Sequence, residues 1–322
     1  MASKDCKSSL PTLPPELILS VIGFVISPTE SRAVALRASH LVTKTLVSLL
    51  RALRLLHARC LYIDSDARLM SLAASIAQMP HELRTASERL RLMRQSVGVS
   101  HILSLYLSYT EVNDFQLAQS VLGLFTAIAP YLRRLVIDMP LRDYDYWDLR
   151  MTTASTLREA FSKLTGLDTV CSIRDELFLP GFEPTISVEQ TSVWPLWPNL
   201  KTLILYNEDI DNEDLWPSLG KLEHFETLVL TRCDGLEETD IKLEWTKNCG
   251  QRPLEVLIVN IEGGHRNPLG RKSWKEDSVV VKEMNVPTSY YGDEDEIELC
   301  QEWVKRRVLR GVKPADWDSV EW

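Results

Sequence analysis

The spacing of apolar residues changes once along the chain, and the change divides it. Residues 10 to 30, LPTLPPELILSVIGFVISPTE, set two prolines and a glutamate before an unbroken apolar run from Leu17 to Ile26. Pro15 suits a first helical turn, where its missing N–H has no partner to lose, and Glu16 complements the positive end of the helix dipole. Leu17, Ile18, Val21, Ile22 and Val25 then recur on one helical face. After the Ser27-Pro28 break, ESRAVALRASHLVTKTLVSLLRALRLLHARCLYID gives two further helical stretches, with Leu36, Leu41, Val42, Leu46, Leu49, Leu53 and Leu56 among the apolar positions. The pattern predicts a flexible tail over residues 1–9 and an all-helical unit over 10–58.

Beyond that point the period shortens to two. Six segments share an L-x-x-L-x-L skeleton: ILSLYL from Ile102, LRRLVI from Leu132, LDTVCS from Leu167, LKTLIL from Leu200, FETLVL from Phe225 and LEVLIV from Leu254. Such short alternating runs are strand-like. Their starts lie 30, 35, 33, 25 and 29 residues apart, a spacing that points to one unit used repeatedly. Helical patterns fill the gaps, as in NDFQLAQSVLGLFTAIA and TTASTLREAFSKLTG, with shorter ones in NEDLWPSLGKL and EETDIKLEWTKNCG. SVVVKEM from Ser278 is a further strand candidate. GDEDEIELCQEWVKRRVLRG places acids at the start of a last helix, bases at its end and Gly311 as its stop. The expected fold is therefore α/β: a helical unit, an irregular leucine-rich-repeat solenoid over 59–286, and a cap over 287–322. The last helix, with Leu299, Trp303, Val304, Trp317 and Trp322, is expected to cover the raw end of that array, with partner docking as the other use.

Charge and cysteine content narrow the classes. The net charge is −9, and it is unevenly spread: residues 1–150 hold 17 Lys and Arg against 13 Asp and Glu, the remainder 19 against 32. That balance argues against a nucleic-acid partner. Residues 32–94 are the exception, with 11 basic and 4 acidic side chains, and read either as a solvated surface or as a face for an acidic protein. The six cysteines form no C-x-x-C pair and have no histidine at zinc-ligand spacing, so no metal or other cofactor is expected and reduced thiols are. The apolar run at 17–26 is about half the roughly 20 residues that cross a bilayer. As a secretory signal it is spoiled by Pro14, Pro15 and Glu16 before it and by Pro28, Glu30 and Arg32 after it. No membrane association is expected, and the compartment expected is cytoplasm or nucleus.

The chain carries none of the phosphate-binding glycine loops, nor G-x-S-x-G or H-E-x-x-H. DIDNED, Asp209 to Asp214, resembles a calcium loop but has Gly220 where the twelfth-position glutamate belongs. RDYDYWDLR, Arg142 to Arg150, mixes aromatics with carboxylates and reads as a loop or an interface anchor. With Leu203 and Leu205 inward, strand alternation turns Thr202, Ile204 and Tyr206 outward, and likewise Ser104, Tyr106 and Ser108; Arg134, Val136 and Asp138; Thr227, Val229 and Thr231; Val256, Ile258 and Asn260. Tyr106, Arg134, Asp138, Tyr206, Thr227 and Asn260 are the candidate residues for holding a target. A nucleophile beside a base is missing from the row, so a non-catalytic role is expected.

One resemblance carries further. LPPELILSVIGFV resembles the opening helix of an F-box, in Leu13, Pro14, Glu16, Leu17, Ile18, Val21 and Ile22, and LRASHLVTKTLVSLLRALRLL resembles its later helices, in Leu41 and Val42 among others. The family's Cys-Lys-x-Trp-like segment is here Thr43-Lys44-Thr45-Leu46. With segments such as WPNLKTLIL behind it, the arrangement is similar to fungal F-box and leucine-rich-repeat proteins. The resemblance implies a substrate-recognition subunit of a cullin–RING (SCF-type) ubiquitin ligase, whose F-box docks on the Skp-type adaptor of the cullin complex while the remainder holds a target protein. The adaptor-binding residues would be Leu13, Pro14, Glu16, Leu17, Ile18, Val21, Ile22, Leu41 and Val42. The other reading is an interaction scaffold with a degenerate F-box and no ligase role. A three-helix unit of about 45 residues buries only part of its apolar surface alone, so those side chains are left to meet either a partner or the chain's own first repeat.

Overall fold

The structure, a computed structural model, describes residues 60–77, 103–109, 114–141, 150–180, 190–261, 278–288 and 295–319. The chain divides at Arg54/Leu55, and every described residue belongs to the second unit, Leu55–Trp322. The helical unit expected over 10–58, with its adaptor-binding residues, lies outside the described residues, as does the tail over 1–9.

Strands and helices alternate along the described chain: β1 (Cys60–Ile63), α1 (Asp66–Ala77), β2 (Ser104–Leu107), α2 (Phe115–Ile128), β3 (Arg134–Ile137), α3 (Arg150–Ser162) and β4 (Thr169–Ser172). A small antiparallel pair, β5 (Phe178–Pro180) with β6 (Gln190–Ser192), interrupts before β7 (Thr202–Tyr206), α4 (Leu215–Gly220), β8 (Thr227–Thr231), α5 (Ile241–Cys249), β9 (Leu254–Ile261), β10 (Val279–Val286) and α6 (Glu296–Leu309). Eight strands form one sheet in the order β1-β2-β3-β4-β7-β8-β9-β10, parallel at every pairing.

Local chemistry sets the element ends. Asp114, Asp240 and Asp295 each sit before a helix and accept from two of its first free N–H groups, at 2.7 and 3.4 Å, 3.1 and 3.1 Å, and 2.8 and 3.0 Å. After β7 and β8 the chain turns through left-handed residues, Asn207 at φ 57° and Arg232 at φ 50°. Asparagine tolerates that region and arginine is rare there. The two turns repeat one another, joined by a bridge between Asp209 and Asp234. Gly235 at φ 79° completes the second turn, because a Cβ there would come within 2.8 Å of the Asp209 carboxylate and 2.9 Å of the Asp211 nitrogen.

The sheet is covered on both faces. On one, α1 to α5 pack on Leu105, Leu107, Leu135, Ile137, Leu203, Leu205, Leu228 and Leu230. An aromatic chain stiffens that layer, Phe125 to Phe161 at 5.6 Å and Phe161 to Trp197 at 6.0 Å between ring centres, with the Trp197 indole donating to the Phe161 carbonyl at 3.0 Å. On the other face Val136, Cys171, Ile204, Val229, Leu257, Val259 and Met284 form a second core with Cys300, Trp303, Val304 and Val308 of α6 and Trp317 behind them. Helix α6 touches β3, β8, β9 and β10.

These findings correct the expected fold. In place of an open leucine-rich-repeat solenoid with an end cap, the described residues form an eight-stranded, all-parallel sheet alternating with helices. Its final helix lies across the second face of the sheet. The physical reason is visible in the strands, which are buried at consecutive positions and not at every other one. Parallel strands sandwiched between two layers carry such continuous apolar runs. A second correction concerns register. Glu255, not Val256, stands opposite Thr227, so Val256 and Ile258 join the α1–α5 core and Leu257 and Val259 the second. A slip of one residue exchanges the faces of a whole strand.

The second core, though the smaller, should contribute substantially to the sheet's stability. Trp303→Ala is expected to cost about 3–5 kcal/mol in urea unfolding. Its buried indole N–H has no hydrogen-bond partner among the described residues, so Trp303→Phe, which removes that unsatisfied donor and keeps a ring, should cost less than half as much.

Candidate functional site

Outside β9, the side chains that the alternation rule turned outward lie on the second face, against or beside α6. At its centre is Asp138, at the carboxyl end of β3 and only 6% exposed. Its carboxylate accepts from the Tyr106 hydroxyl at 2.6 Å and from the Arg174 Nε at 2.5 Å, with the Lys305 ammonium of α6 at 3.8 Å. Lys305 also pairs with Glu302 at 2.6 Å, and Glu302 accepts from the Arg306 Nε at 2.8 Å. One buried acid is thus held by a phenol and two cations from three separate elements. Burial would tend to raise the Glu302 carboxyl, but the hydrogen bonds and charges of Lys305 and Arg306 hold it below its ordinary range.

Tyr106 is equally enclosed. Its ring stacks on Tyr62 of β1 at 4.2 Å between centres and 10° between planes, and Tyr62 remains 42% exposed. Burial, and then the Asp138 hydrogen bond and charge, push the Tyr106 phenol well above its ordinary value. A phenol so disposed keeps its proton at neutral pH and serves as a donor, not as a base or nucleophile. The neighbouring Cys171 thiol is pushed up by burial, and further by the Asp138 charge. Cys300, on the facing helix, is pushed up to about 11, by burial above all, with the Arg232 cation opposing. These are packed thiols, and Cys171, Cys233, Cys249 and Cys300 are free.

The other candidates are placed as follows. Arg134 donates from Nη1 to the Val308 carbonyl at the end of α6, at 3.5 Å. Tyr206 is buried at the end of β7. Thr227 is half-buried, in one register row with Thr202, Thr169 and Arg134. Asn260 falls, by the slip in β9, on the α1–α5 side of the sheet, where it lines a shallow crevice with Arg232, Asp234 and Glu238. Five of the six therefore share a face, and Tyr106 and Asp138 make direct contact. Sequence reasoning missed Tyr62, Arg174 and Lys305. Tyr62 had a signal, since CLYI repeats the alternation of SLYL and stands opposite it in the sheet.

Two motifs raised by the sequence resolve differently. The Asp209–Asp214 side chains serve their own turn: Asp209 accepts from the Asp211 nitrogen at 3.1 Å, Asn212 from the Asp214 nitrogen at 3.0 Å, and Asp211 from the Thr239 hydroxyl at 3.0 Å. Residues 142–149 of RDYDYWDLR lie outside the described residues. Among the described residues no helix is long and apolar enough to cross a membrane. No protein-family model, curated protein or solved structure matches the chain.

Two outcomes test this geometry. Asp138→Asn should cost about 2 kcal/mol in urea unfolding, because it strips Arg174 of its counter-charge and Lys305 of one of its two, and Tyr106→Phe should cost less. The raised Cys171, Cys300 and Tyr106 favour the neutral, folded form, so their contribution is complete below the ordinary values of 9.0 for the thiols and 10.0 for the phenol and is lost progressively above them, as pH climbs toward the raised folded values. Unfolding free energy measured from pH 7 to 10.5 should fall above about pH 9. A curve that stays flat would contradict the burial of these groups.

Proposed function

We propose that this chain is the substrate-recognition subunit of a cullin–RING ubiquitin ligase, docking through its N-terminal segment on a Skp-type adaptor and presenting a target protein with its α/β domain. The observation that carries the reading is the run LPPELILSVIGFV. It sets apolar residues at helical spacing behind a proline-rich start, in a segment too short to bury them well by itself. The domain that follows supports the receptor half. Its sheet is held rigid by two apolar cores, and a rigid scaffold is what presents a binding surface at little entropic cost. The activity is non-catalytic in this chain, and the place of action is the cytoplasm or nucleus. A scaffold without a ligase role is the second reading, and the Thr43-Lys44-Thr45-Leu46 segment, which lacks the family's tryptophan, is the observation that favours it.

Co-purification of the full chain with a Skp-type adaptor separates the two. Wild type should be retained, and Leu17→Asp or Ile18→Asp should weaken retention by about 30-fold or more, as for central apolar contacts. Failure of wild type to bind removes the ligase reading and leaves the scaffold.

A further inference from the structure

The second face is not sealed evenly. At the amino ends of the strands the register aligns Ser104, Arg134, Thr169, Thr202 and Thr227, all half-buried. Four hydroxyls and a guanidinium line this row, and of these the Thr169 hydroxyl already donates to the Asp168 carboxylate at 2.8 Å. The next strand continues it with Glu255, whose charge is taken by Lys282 at 2.6 Å.

At the β3 end the row meets the close of α6. The Arg134 guanidinium lies against the Val308 carbonyl, and a Cβ on Gly311 would come within 3.0 Å of it. Arg310 immediately precedes that glycine and Lys313 follows two residues later, both exposed. Three cations therefore gather where one helix ends. Elsewhere along α6 the cations are paired: Arg174 with Asp138, Lys305 and Arg306 with Glu302, and Arg232 with Glu296 at the far end of the helix. Among the described residues, Arg134, Arg310 and Lys313 have no carboxylate partner.

The helix dipole accounts for a cation in the last turn. It does not account for Arg134, which comes from a strand, or for Lys313, which lies beyond the helix. The body around them is acidic, with 19 basic against 32 acidic residues from 151 onward. A local basic corner on an acidic body selects for acidic partners and repels the rest of the surface's like.

We infer that this corner docks an acidic, carboxylate-rich segment of the target protein. Its carboxylates pair with Arg134, Arg310 and Lys313, and its oxygens accept from the hydroxyls of Thr202 and Thr227. The inference rests on reading the α/β domain as the target-binding part, and names the class of target.

The test titrates the full chain with a fluorescein-labelled ten-residue peptide of alternating Glu and Ser, followed by anisotropy. Saturable binding is expected, weakened at least tenfold by Arg310→Glu with Lys313→Glu and at least threefold by Arg134→Gln. Lys221→Glu with Lys247→Glu, the same charge change elsewhere on the surface, should alter it less than twofold. Any of three results overturns the inference: no binding by wild type, equal loss in the two double variants, or binding only when the serines are phosphorylated. No adaptor enters this titration, so its failure leaves adaptor docking standing, and a failure of adaptor docking leaves this result standing.

Discussion

The described structure depends on the seating of α6 across the second face of the sheet. An all-parallel sheet is stable only with both faces covered, and here five helices supply one layer while a single helix supplies most of the other. Trp303 is the centre of that layer: its ring meets Trp317 edge-on at 5.4 Å, and the Arg307 guanidinium lies over it at 3.5 Å. Polar anchors fix the helix at both ends. Arg232 and Glu296 pair at 3.0 Å where it begins, beyond the carboxyl end of β8, and Arg134 holds the Val308 carbonyl where it stops, at the start of β3. The left-handed conformation of Arg232 belongs to this arrangement, since the same turn that follows Asn207 one strand earlier here carries the cation that reaches α6.

Much of this architecture was legible in the chain. The six alternating segments became strands, and the helices between them fall where spacing and caps placed them, because short-range periodicity and capping aspartates act locally. What local pattern could not supply was the far side of the sheet. Val136, Ile204 and Val229 read as outward residues under strict alternation, yet they are apolar and stand between other apolar residues, which is the mark of a strand buried on both faces. The slip in β9 had the same origin. LEVLIV fits the repeat skeleton from Leu254, but the sheet pairs it one residue later, and Asn260 changes faces with it. β1 went unseen because its four residues, CLYI, follow directly on a helical pattern, which masked the alternation they share with SLYL.

The candidate site was legible in its parts more than in its assembly. Tyr106, Arg134 and Asp138 were placed together by alternation. The partners that decide their chemistry, Arg174 and Lys305, come from a turn and from α6, which no periodicity links to β3. The consequence for function is that recognition cannot use the middle of the second face while α6 is seated. On that face only the margins, with Tyr62 and the half-buried row from Ser104 to Thr227, remain open to a partner. Under the proposed function, the N-terminal segment would serve the ligase and one margin of this partly sealed domain the target.

The claim on which the account turns is that α6 belongs to the cooperative core of the domain and does not detach as a cap. Amide hydrogen exchange of the full chain, read by mass spectrometry on peptides covering 296–309 and 202–206, tests it most directly. Protection of α6 within about tenfold of that in β7 is the predicted result. Exchange of α6 a thousandfold or more faster than β7, with the sheet still protected, would contradict it.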